Sequence, residues 1–484
     1  MSIPKAGDLT RAPLAGVCLR FGSPLAVALM GHGVFNLVDA IIVGRVGQGA
    51  IAAVTISGLI LTVVMLVFDG VSNITAALTA QGHAAGRREQ VHAVAWESLW
   101  LSIVSGVGLG VLFWLLAGPM VGWFGLEGDQ VRADAVEYQA IMSLGTVTMF
   151  LIMQTTAVLR GVGNSLWPLA ILVGSNLLNV LLDILMVFGY WGFPEMGVAG
   201  AAWATGISRG VGGLVGLWVM WRGIEGLCLR DDRFRWRFRY IRSLLFVGLP
   251  TSLQLGVRVL SVTCLFLIAS AAYTGSTTAY VDGLGVCLRL EMVAVFMGMG
   301  WGAAATAVVG QNLGARRVRR AHVAALWLVL YGMVSMGLCG LLIWIFRYEL
   351  FALIGPEISP EGIEGGIRYL SVIVPVYPLL AVSFIISRSL NGAGSVRTPM
   401  LIDIFLFILL ALPLAAILSG AGIFGMFERA NSDPMAVWWV CMILHVIAAV
   451  AYSLVWWLGR WRRKRLGNPC DEDMPELRPA GPSP

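Results

Sequence analysis

Residues 51–80 read IAAVTISGLILTVVMLVFDGVSNITAALTA, and this run carries one formal charge, that of Asp69. A helix of roughly 20 apolar residues is enough to cross the hydrocarbon core of a bilayer, so the run is long enough to span a membrane. The whole chain has 484 residues, of which 58% are hydrophobic and 12% are charged. Soluble domains contain about 25% charged residues. The composition therefore excludes an ordinary soluble, disordered or disulfide-stabilised protein and indicates a helical membrane protein.

Eleven more apolar runs of similar length occupy the rest of the chain, with mostly short polar loops between them. This pattern predicts an all-α polytopic membrane protein with twelve transmembrane helices. The predicted helices, called spans 1 to 12 below, are 18–42, 51–80, 92–117, 134–157, 167–189, 197–221, 243–271, 280–310, 321–346, 366–389, 399–419 and 435–459.

Basic residues are concentrated in every second loop between these spans. This set of loops holds most of the 33 Lys and Arg, including Arg160, Arg388 and the seven arginines of the middle loop 222–242, whereas acidic residues are common in the other set. Basic loops mark the cytoplasmic side of a membrane. We therefore expect both termini to lie in the cytoplasm. The chain has only two lysines, Lys5 and Lys464, and such arginine-rich usage fits a GC-rich bacterial genome, so we expect a bacterial inner-membrane protein. The net charge of +6 then requires no nucleic-acid partner.

The two halves of the chain share landmarks, which indicates a duplicated six-helix unit. The matching positions lie 226 to 231 residues apart: Pro24 and Pro250, Gln81 and Gln311, and the segments 159–163 and 390–394. Two units of six helices insert in the same orientation, so a pseudo-two-fold axis along the membrane normal relates them, with a substrate site between them. The predicted parts are a first lobe at 1–221, a basic linker at 222–242, a second lobe at 243–465 and a disordered tail at 466–484.

Five short motifs resemble those of the multidrug and toxic compound extrusion (MATE) family. They are NLVDAIIVGRVG at 36–47, LRGVG at 159–163, NLLNVLLD at 176–183, LRLE at 288–291 and GQNLGA at 310–315. The resemblance extends over residues 20–460 and implies a V-shaped bundle of two six-helix lobes that exports organic compounds, driven by a cation gradient. It also implies a cation site at Asp39, Asn179, Asp183 and Thr205, with Tyr138 as a neighbour.

The depths of the polar residues in the first six spans also point to a site. Asp39, Asp183 and Thr205 each lie roughly 8–12 Å below the outer surface, at about 1.5 Å of helix rise per residue. Asn36 and Asp39 share a helix face, and so do Asn179 and Asp183. Two carboxyl groups at one depth could share a proton, because burial and like charge disfavour two ionised forms, or could bind Na⁺ through oxygen ligands. Alternatively, these amide–acid pairs only hold the lobe together.

The second half departs from one branch of the family, which has acids in its seventh and tenth helices. This chain instead has Arg258 in span 7 and no acid deep in span 10. Arg258 and Glu291 have comparable predicted depths, so we expect a buried ion pair between them, since a lone buried charge is costly. Arg289 could replace Arg258, or Glu291 could contact a proton or a cationic substrate. Asp403, near a helix end, is interpreted as interfacial.

One more charged pair is possible in the first lobe. Asp69 lies in the inner half of span 2, and Arg209 lies in the middle of span 6. Arg209 could pair with Asp69, or it could act on the site formed by Asp39 and Asp183. The sequence leaves both alternatives open.

These features together predict a secondary antiporter that exports organic, cationic and amphipathic compounds in exchange for Na⁺ or H⁺. The chain has no phosphate-binding loop of the G-x-x-x-x-G-K-S/T type, so we expect no ATP, no cofactor and no other metal. The five histidines are scattered, so we do not expect an enzyme. The alternative is a flippase for lipid-linked precursors. The expected partners are small organic substrates and the lipid bilayer, with the chain acting as a monomer.

Overall fold

The structure, a computed structural model, consists of helices and contains no β-strand among the residues that it describes. These residues are 8–46, 48–123, 128–231, 239–273, 276–355, 358–420 and 433–463. The predicted tail at 466–484 and part of the predicted linker at 222–242 lie outside them. In the described part of the linker, Ile224 and Leu227 exchange two backbone hydrogen bonds of 2.8 Å, which close a tight turn.

Each predicted span corresponds to one helix or to two or three consecutive helical segments. Spans 1 to 6 are Leu14–Gly44, Gln48–Ala84, Arg88–Leu115, Asp129–Leu144 with Thr146–Gly161, Leu166–Phe188 and Gly197–Arg222. Spans 7 to 12 are Arg239–Ala272, Thr277–Gly314, Val318–Ile345, Pro360–Gly392, Arg397–Ser419 and Pro434–Leu458. The shorter helices are Asp8–Arg11, Ala117–Gly122, Tyr190–Gly192, Leu229–Asp231, Arg347–Ile354 and Arg460–Arg463.

The lengths and surfaces of these helices fit a membrane. Within the described ranges, ten helices are long and apolar enough to cross a bilayer, and the bent pair that forms span 4 is an eleventh. Span 6 has 26 residues, which is also long enough, although its glycines and arginines make it less apolar. Large hydrophobic side chains are exposed along the spans, for example Leu59, Val63 and Val67 of span 2. A continuous apolar surface of this kind favours contact with lipid over water.

Three spans are interrupted within the bundle. Span 4 bends by 42° between its two helices, at Gly145. Span 10 contains a 3-10 turn at Val374–Val376, where proline removes a backbone donor. Span 11 contains a π-helical segment at Ile404–Ala411, which directly follows Asp403. Such breaks change the direction in which the following side chains point, and they are frequent at functional positions.

The two six-helix halves contact each other mainly through spans 1 and 2 of the first half and spans 7 and 8 of the second. At the end where spans 2, 4, 8 and 10 finish, the contacts are reciprocal. Gln81 Nε2 donates to the carbonyl oxygen of Gly392 over 2.8 Å, and Gln311 Nε2 donates to that of Gly161 over 2.9 Å. These residues are the landmarks of the predicted duplication, so the pseudo-two-fold axis passes between the two hydrogen bonds.

Gly161 and Gly392 also mark equivalent close contacts inside each half. A Cβ atom on Gly161 would lie 2.6 Å from the Cβ of Thr79, and one on Gly392 would lie 2.6 Å from the carbonyl oxygen of Thr306. Only glycine allows helices to approach so closely. The two glycines therefore hold spans 2 and 4, and spans 8 and 10, at the spacing that the reciprocal hydrogen bonds need.

Candidate functional site

The first polar cluster lies between spans 1, 5 and 6. Asp39 of span 1 and Asp183 of span 5, which we call the acid pair, face each other within the range of a hydrogen bond if one carboxyl group carries a proton. Asn179 donates from Nδ2 to Asp183 Oδ1 and to Thr205 Oγ1 of span 6, each over 3.5 Å. Asp183 is fully buried. The residues predicted to share one depth therefore lie together.

Two oxygen atoms of the acid pair lack hydrogen-bond donors. Asp39 Oδ1 and Asp183 Oδ2 are buried and have no hydrogen-bond partner among the described residues. Two carboxylates in this position repel each other and lose their hydration, which is costly. A shared proton removes the repulsion, and so does a Na⁺ ion held by carboxylate and hydroxyl oxygens, the donor type that hard cations prefer. The donor set therefore fits a proton or a small hard cation.

Two further side chains surround the acid pair. Tyr138, in the first helix of span 4, is buried close to both acids, in the position that the family resemblance implies. Arg209 of span 6 lies within charge–charge range of Asp39 and Tyr138 and forms no ion pair with any residue that the structure describes. Of the two alternatives for Arg209, this geometry favours an action on the acid pair.

Asn36 does not join the cluster, contrary to the prediction. Its side chain is exposed. Three positions along a helix leave two side chains about 60° apart, so Asn36 and Asp39 share a face only approximately. The small difference in direction is enough to turn Asn36 away from the buried acid pair.

A buried ion pair inside the second half joins Arg258 to Asp403. Arg258 Nε donates to Asp403 Oδ2 over 2.7 Å, and its Nη2 donates to Oδ1 over 3.2 Å. Tyr452 and Gln254 donate to the same carboxylate over 2.7 and 2.9 Å. The carboxylate of Asp403 is fully buried and its hydrogen bonds are satisfied. The interfacial interpretation of Asp403 was wrong. Asp403 lies only six residues after the start of span 11, but its side chain points into the bundle.

Glu291, the predicted partner of Arg258, has a different environment. The hydroxyl of Tyr369 donates to Glu291 Oε2, and no cation in the described part of the chain pairs with it. Arg289 is exposed. It lies two positions before Glu291 on the same helix, and side chains two positions apart point in nearly opposite directions. The predicted ion pair is therefore wrong with either arginine. Arg258 and Glu291 have comparable depth but lie on helix faces that do not meet.

A cavity of about 160 Å³ lies between the two halves. Its wall is formed by spans 1, 2, 4, 5, 6, 8 and 10, and its charged residues within the described ranges are Asp69, Arg160, Arg209 and Arg388. Arg388 Nη2 donates to Asp69 Oδ2 over 2.8 Å, so this ion pair joins span 10 to span 2 across the halves. The possible pair between Asp69 and Arg209 is therefore not formed, because Arg388 occupies that position.

The sequence matches the family model described as MatE over residues 24–185 and 239–417. These two segments correspond to the two halves of the fold and together cover more than half of the chain. The chain belongs to the MATE family. The MATE family model matches two separate segments, one in each half. This agrees with the duplication, which the reciprocal contacts of Gln81 and Gln311 also indicate.

Individual MATE proteins resemble the chain over most of its length. A probable multidrug resistance protein NorM from Thermotoga maritima is 27% identical over 454 residues, which are 91% of this chain and 92% of that protein. A FAD transporter from Shewanella oneidensis is 25% identical over 416 residues, 84% of this chain and 89% of that protein. The outward-facing structure of a multidrug resistance MATE family transporter of the MOP superfamily gives a TM-score of 0.84 at 22% identity, over 95% of this chain and 98% of that chain. The structural match shows a common fold.

Sequence reasoning missed three charged residues of this MATE chain. Arg160, Arg388 and Asp403 lie near the ends of their spans. The charge pattern therefore assigned both arginines to loops, and Asp403 was interpreted as interfacial. The repeat contains a signal that could have found Asp403, because a separation of 227 residues aligns it with Asn176 in the NLLNVLLD motif. A residue aligned with a motif position inside the bundle is a poor candidate for the interface.

Proposed function

We propose that the chain is a secondary active transporter that exports small organic compounds in exchange for Na⁺ or H⁺. The observation that carries the proposal is the acid pair, in which Asp39 and Asp183 face each other with buried, unpartnered oxygen atoms. Ionisable side chains within the membrane are costly and typically serve transport. An acid that serves structure has donors around it, as Asp403 does. The acid pair has too few, so a transported cation is the fitting counterpart.

The proposal places the chain in the inner membrane of a bacterium, with both termini in the cytoplasm. The basic loops support this orientation, and the relatives named above are bacterial. One relative is named a probable multidrug resistance protein and the other a FAD transporter, so the two names refer to different compounds. A single chain is proposed as the transport unit, without ATP or cofactor, since one chain forms the whole cavity.

Cation binding acts, in this proposal, on the distance between spans 1 and 5. Without a cation, the carboxylates of Asp39 and Asp183 repel each other, and with a proton or Na⁺ they can approach. Span 1 also packs against span 8 of the other half, so a movement of span 1 changes how the halves meet. The cavity between the halves then opens to one side of the membrane at a time. A membrane potential supplies about 2.3 kcal/mol per charge for each 100 mV.

The test is transport by the purified protein in liposomes, under a Na⁺ gradient and, separately, under a pH gradient. Fluorescein and rhodamine 6G serve as cargo probes, because they share a ring system and carry opposite charges. We expect one gradient to drive one of the dyes, and Asp39→Asn or Asp183→Asn to stop that transport. Asp282→Asn is the matched control, since Asp282 is an exposed acid of span 8.

Two results would show that this proposal is wrong. The first is that neither gradient moves either dye in wild-type liposomes. The second is that both acid-pair variants transport as fast as the Asp282→Asn control. The second result would leave Asp39 and Asp183 with a structural role only.

A further inference from the structure

The wall of the central cavity carries more positive than negative charge. Among the described residues that line it, Arg160, Arg209 and Arg388 are cationic, and Asp69 is the one acid. Asp69 is held by Arg388 over 2.8 Å, so one carboxylate faces three guanidinium groups. A cavity lined by one sign of charge attracts ligands of the opposite sign. This cavity therefore favours anions and repels cations.

Two of the guanidinium groups have free donors. Arg388 Nη1 and Arg160 Nε are buried and donate to no residue that the structure describes. Arg388 is only 6% exposed, and Arg160 Nη1 donates to a neutral group, the hydroxyl of Thr156, over 3.3 Å. Unmet donors of buried charged groups are costly. They fit the oxygen atoms of a carboxylate, phosphate or sulfonate, which guanidinium groups bind with directional hydrogen bonds.

Asp69 shows how an anionic group is held at this place. Its Oδ2 accepts from Arg388 and, over 3.0 Å, from Asn73 Nδ2. Arg160 also lies within charge–charge range of Asp69 and Arg388, so two arginines flank one carboxylate. A ligand anion can use the free donors beside Asp69 or replace it at Arg388. Because Arg388 belongs to the second half and Arg160 to the first, such a ligand connects the two halves.

The rest of the cavity wall is apolar and adaptable. Methionine side chains are flexible and fit ligands of varied shape. The apolar side chains of the wall include Leu29, Met65, Met149, Met153, Phe296 and Met299. The volume of about 160 Å³ is smaller than the roughly 300–1,000 Å³ of pockets that enclose a drug-sized ligand. In this state the cavity therefore holds part of such a ligand, and the arginines favour its charged end.

We infer that the cargo is a soluble, amphipathic organic anion. Its carboxylate, phosphate or sulfonate group binds Arg160 and Arg388, and its apolar body lies against the methionine-rich wall. The inference rests on the proposed export function and names the class of its substrate. It replaces the sequence-based expectation of a cationic cargo, which was made while Arg160 and Arg388 were assigned to loops.

The charge of the cargo determines the electrical behaviour of the exchange. An entering cation and a leaving anion both carry positive charge inward, so a one-for-one exchange with a monovalent anion moves two charges. The same exchange with a monovalent cationic cargo moves none. An interior-negative potential therefore drives anion export, at about 2.3 kcal/mol per charge for each 100 mV.

The experiment compares fluorescein with rhodamine 6G in the same proteoliposomes, with protein-free liposomes as the baseline. An interior-negative potential is imposed with K⁺ and valinomycin, together with the cation gradient that drives transport. We expect export of fluorescein, faster with the potential than without it, and no protein-dependent export of rhodamine 6G. Binding of both dyes to the purified protein is measured in parallel by fluorescence polarisation, and only fluorescein is expected to bind.

Variants of the cavity arginines test the site itself. Arg160→Gln and Arg388→Gln are each expected to lower fluorescein binding at least fivefold, and Arg388→Lys to lower it less than Arg388→Gln. Arg397→Gln is the control, because Arg397 is an exposed arginine at the start of span 11. Since Arg388 also holds Asp69, each variant is checked for a single size-exclusion peak. The comparison of the two dyes in the wild type does not depend on any variant.

The possible failures are distinguishable. Export and binding of rhodamine 6G without fluorescein overturn the anion inference and leave the proposed export function intact. Fluorescein binding that needs Arg160 and Arg388, without transport under any gradient, supports the anion site and contradicts the export function. Movement of an anionic lipid across the bilayer, with fluorescein neither bound nor moved, overturns the inference of a soluble cargo.

Discussion

The two halves of the molecule place different chemistry at equivalent positions. In the second half, Arg258 and Asp403 form a buried ion pair of 2.7 Å. Separations of 226 and 227 residues align these positions with His32 and Asn176 of the first half. His32 and Asn176 face each other at the wall of the central cavity. A contact between uncharged groups in one half is thus replaced by a pair of full charges in the other.

Closer to the other end of these spans, the first half carries the ionisable side chains and the second half carries apolar ones. The acid pair, Asp39 and Asp183, aligns with Leu265 and Leu410 at the same separations. The second half therefore satisfies the charges of Arg258 and Asp403 internally, whereas the first half leaves one carboxylate oxygen of Asp39 and one of Asp183 without a donor. A charge within the membrane is not by itself a sign of transport, because Asp403 has a structural explanation. Buried oxygen atoms that accept from no described residue distinguish the acid pair from Asp403.

The largest effect is expected from breaking the second-half ion pair. Asp403→Asn leaves Arg258 buried without a counter-charge, which should lower the free energy of unfolding by about 3–5 kcal/mol. Adding Arg258→His to this variant reproduces the residue types of the first half, and we expect it to restore most of the loss. Unfolding in mixed micelles with increasing SDS, followed by tryptophan fluorescence, measures both. A single variant as stable as the wild type would refute a structural role for the pair.

Substitutions in the acid pair should lower transport without lowering stability, in contrast to Asp403→Asn. Asp39→Asn and Asp183→Asn should each lower cation-driven transport by at least about tenfold, equivalent to about 1.4 kcal/mol. Their unfolding free energy should stay unchanged or rise, because a neutral amide removes like-charge repulsion. The same SDS titration measures the free energy of unfolding, and the liposome assay measures transport. Loss of stability as large as that of Asp403→Asn would make the acid pair structural.

The reciprocal glutamines should contribute equally and modestly. Gln81→Leu and Gln311→Leu each remove one hydrogen bond between the halves, which is worth about 1 kcal/mol. The two losses should agree closely, because the contacts are related by the pseudo-two-fold axis. Gln130→Leu is the control, since Gln130 is exposed and donates to Asp134 of its own helix. Losses that differ severalfold between Gln81→Leu and Gln311→Leu would argue against equivalent contacts.

The smallest effect is expected from substituting Arg209, which lies next to the acid pair. Arg209→Gln removes a positive charge within range of Asp39, so the site should bind its cation more tightly. We expect about a threefold gain in apparent affinity, or about 0.7 kcal/mol. The cation concentration at half-maximal transport measures it, with Arg222→Gln, at the end of the same helix, as a comparison. Weaker cation binding in Arg209→Gln would contradict an electrostatic action of Arg209 on the acid pair.

Much of this fold was predictable, because bilayer thickness restricts the length of each helix. Run length alone located the twelve spans, and the repeated Gln81 and Gln311 indicated the duplication before their contacts were seen. The cluster of Asp39, Asn179, Asp183 and Thr205 was predictable for a similar reason, since a constant rise per residue converts position into depth.

Direction around each helix was much harder to predict than depth. Arg258 was assigned to Glu291 by depth, but its partner is Asp403, which was interpreted as interfacial because it lies near a helix end. Span 7 has 34 residues, more than a bilayer needs, so helix ends are poor markers of the membrane surface. Arg160 and Arg388 were assigned to loops for the same reason, although both line the cavity.

The central claim is that the acid pair binds the coupling cation, and the charge movement on cation binding tests it most directly. Proteoliposomes without cargo are adsorbed on a solid-supported membrane and exposed to a jump in Na⁺ or in H⁺ concentration. We predict a transient current for one cation in the wild type and in Asp282→Asn, and none in Asp39→Asn or Asp183→Asn. A current of wild-type size in both acid-pair variants would contradict the account, whatever the cargo.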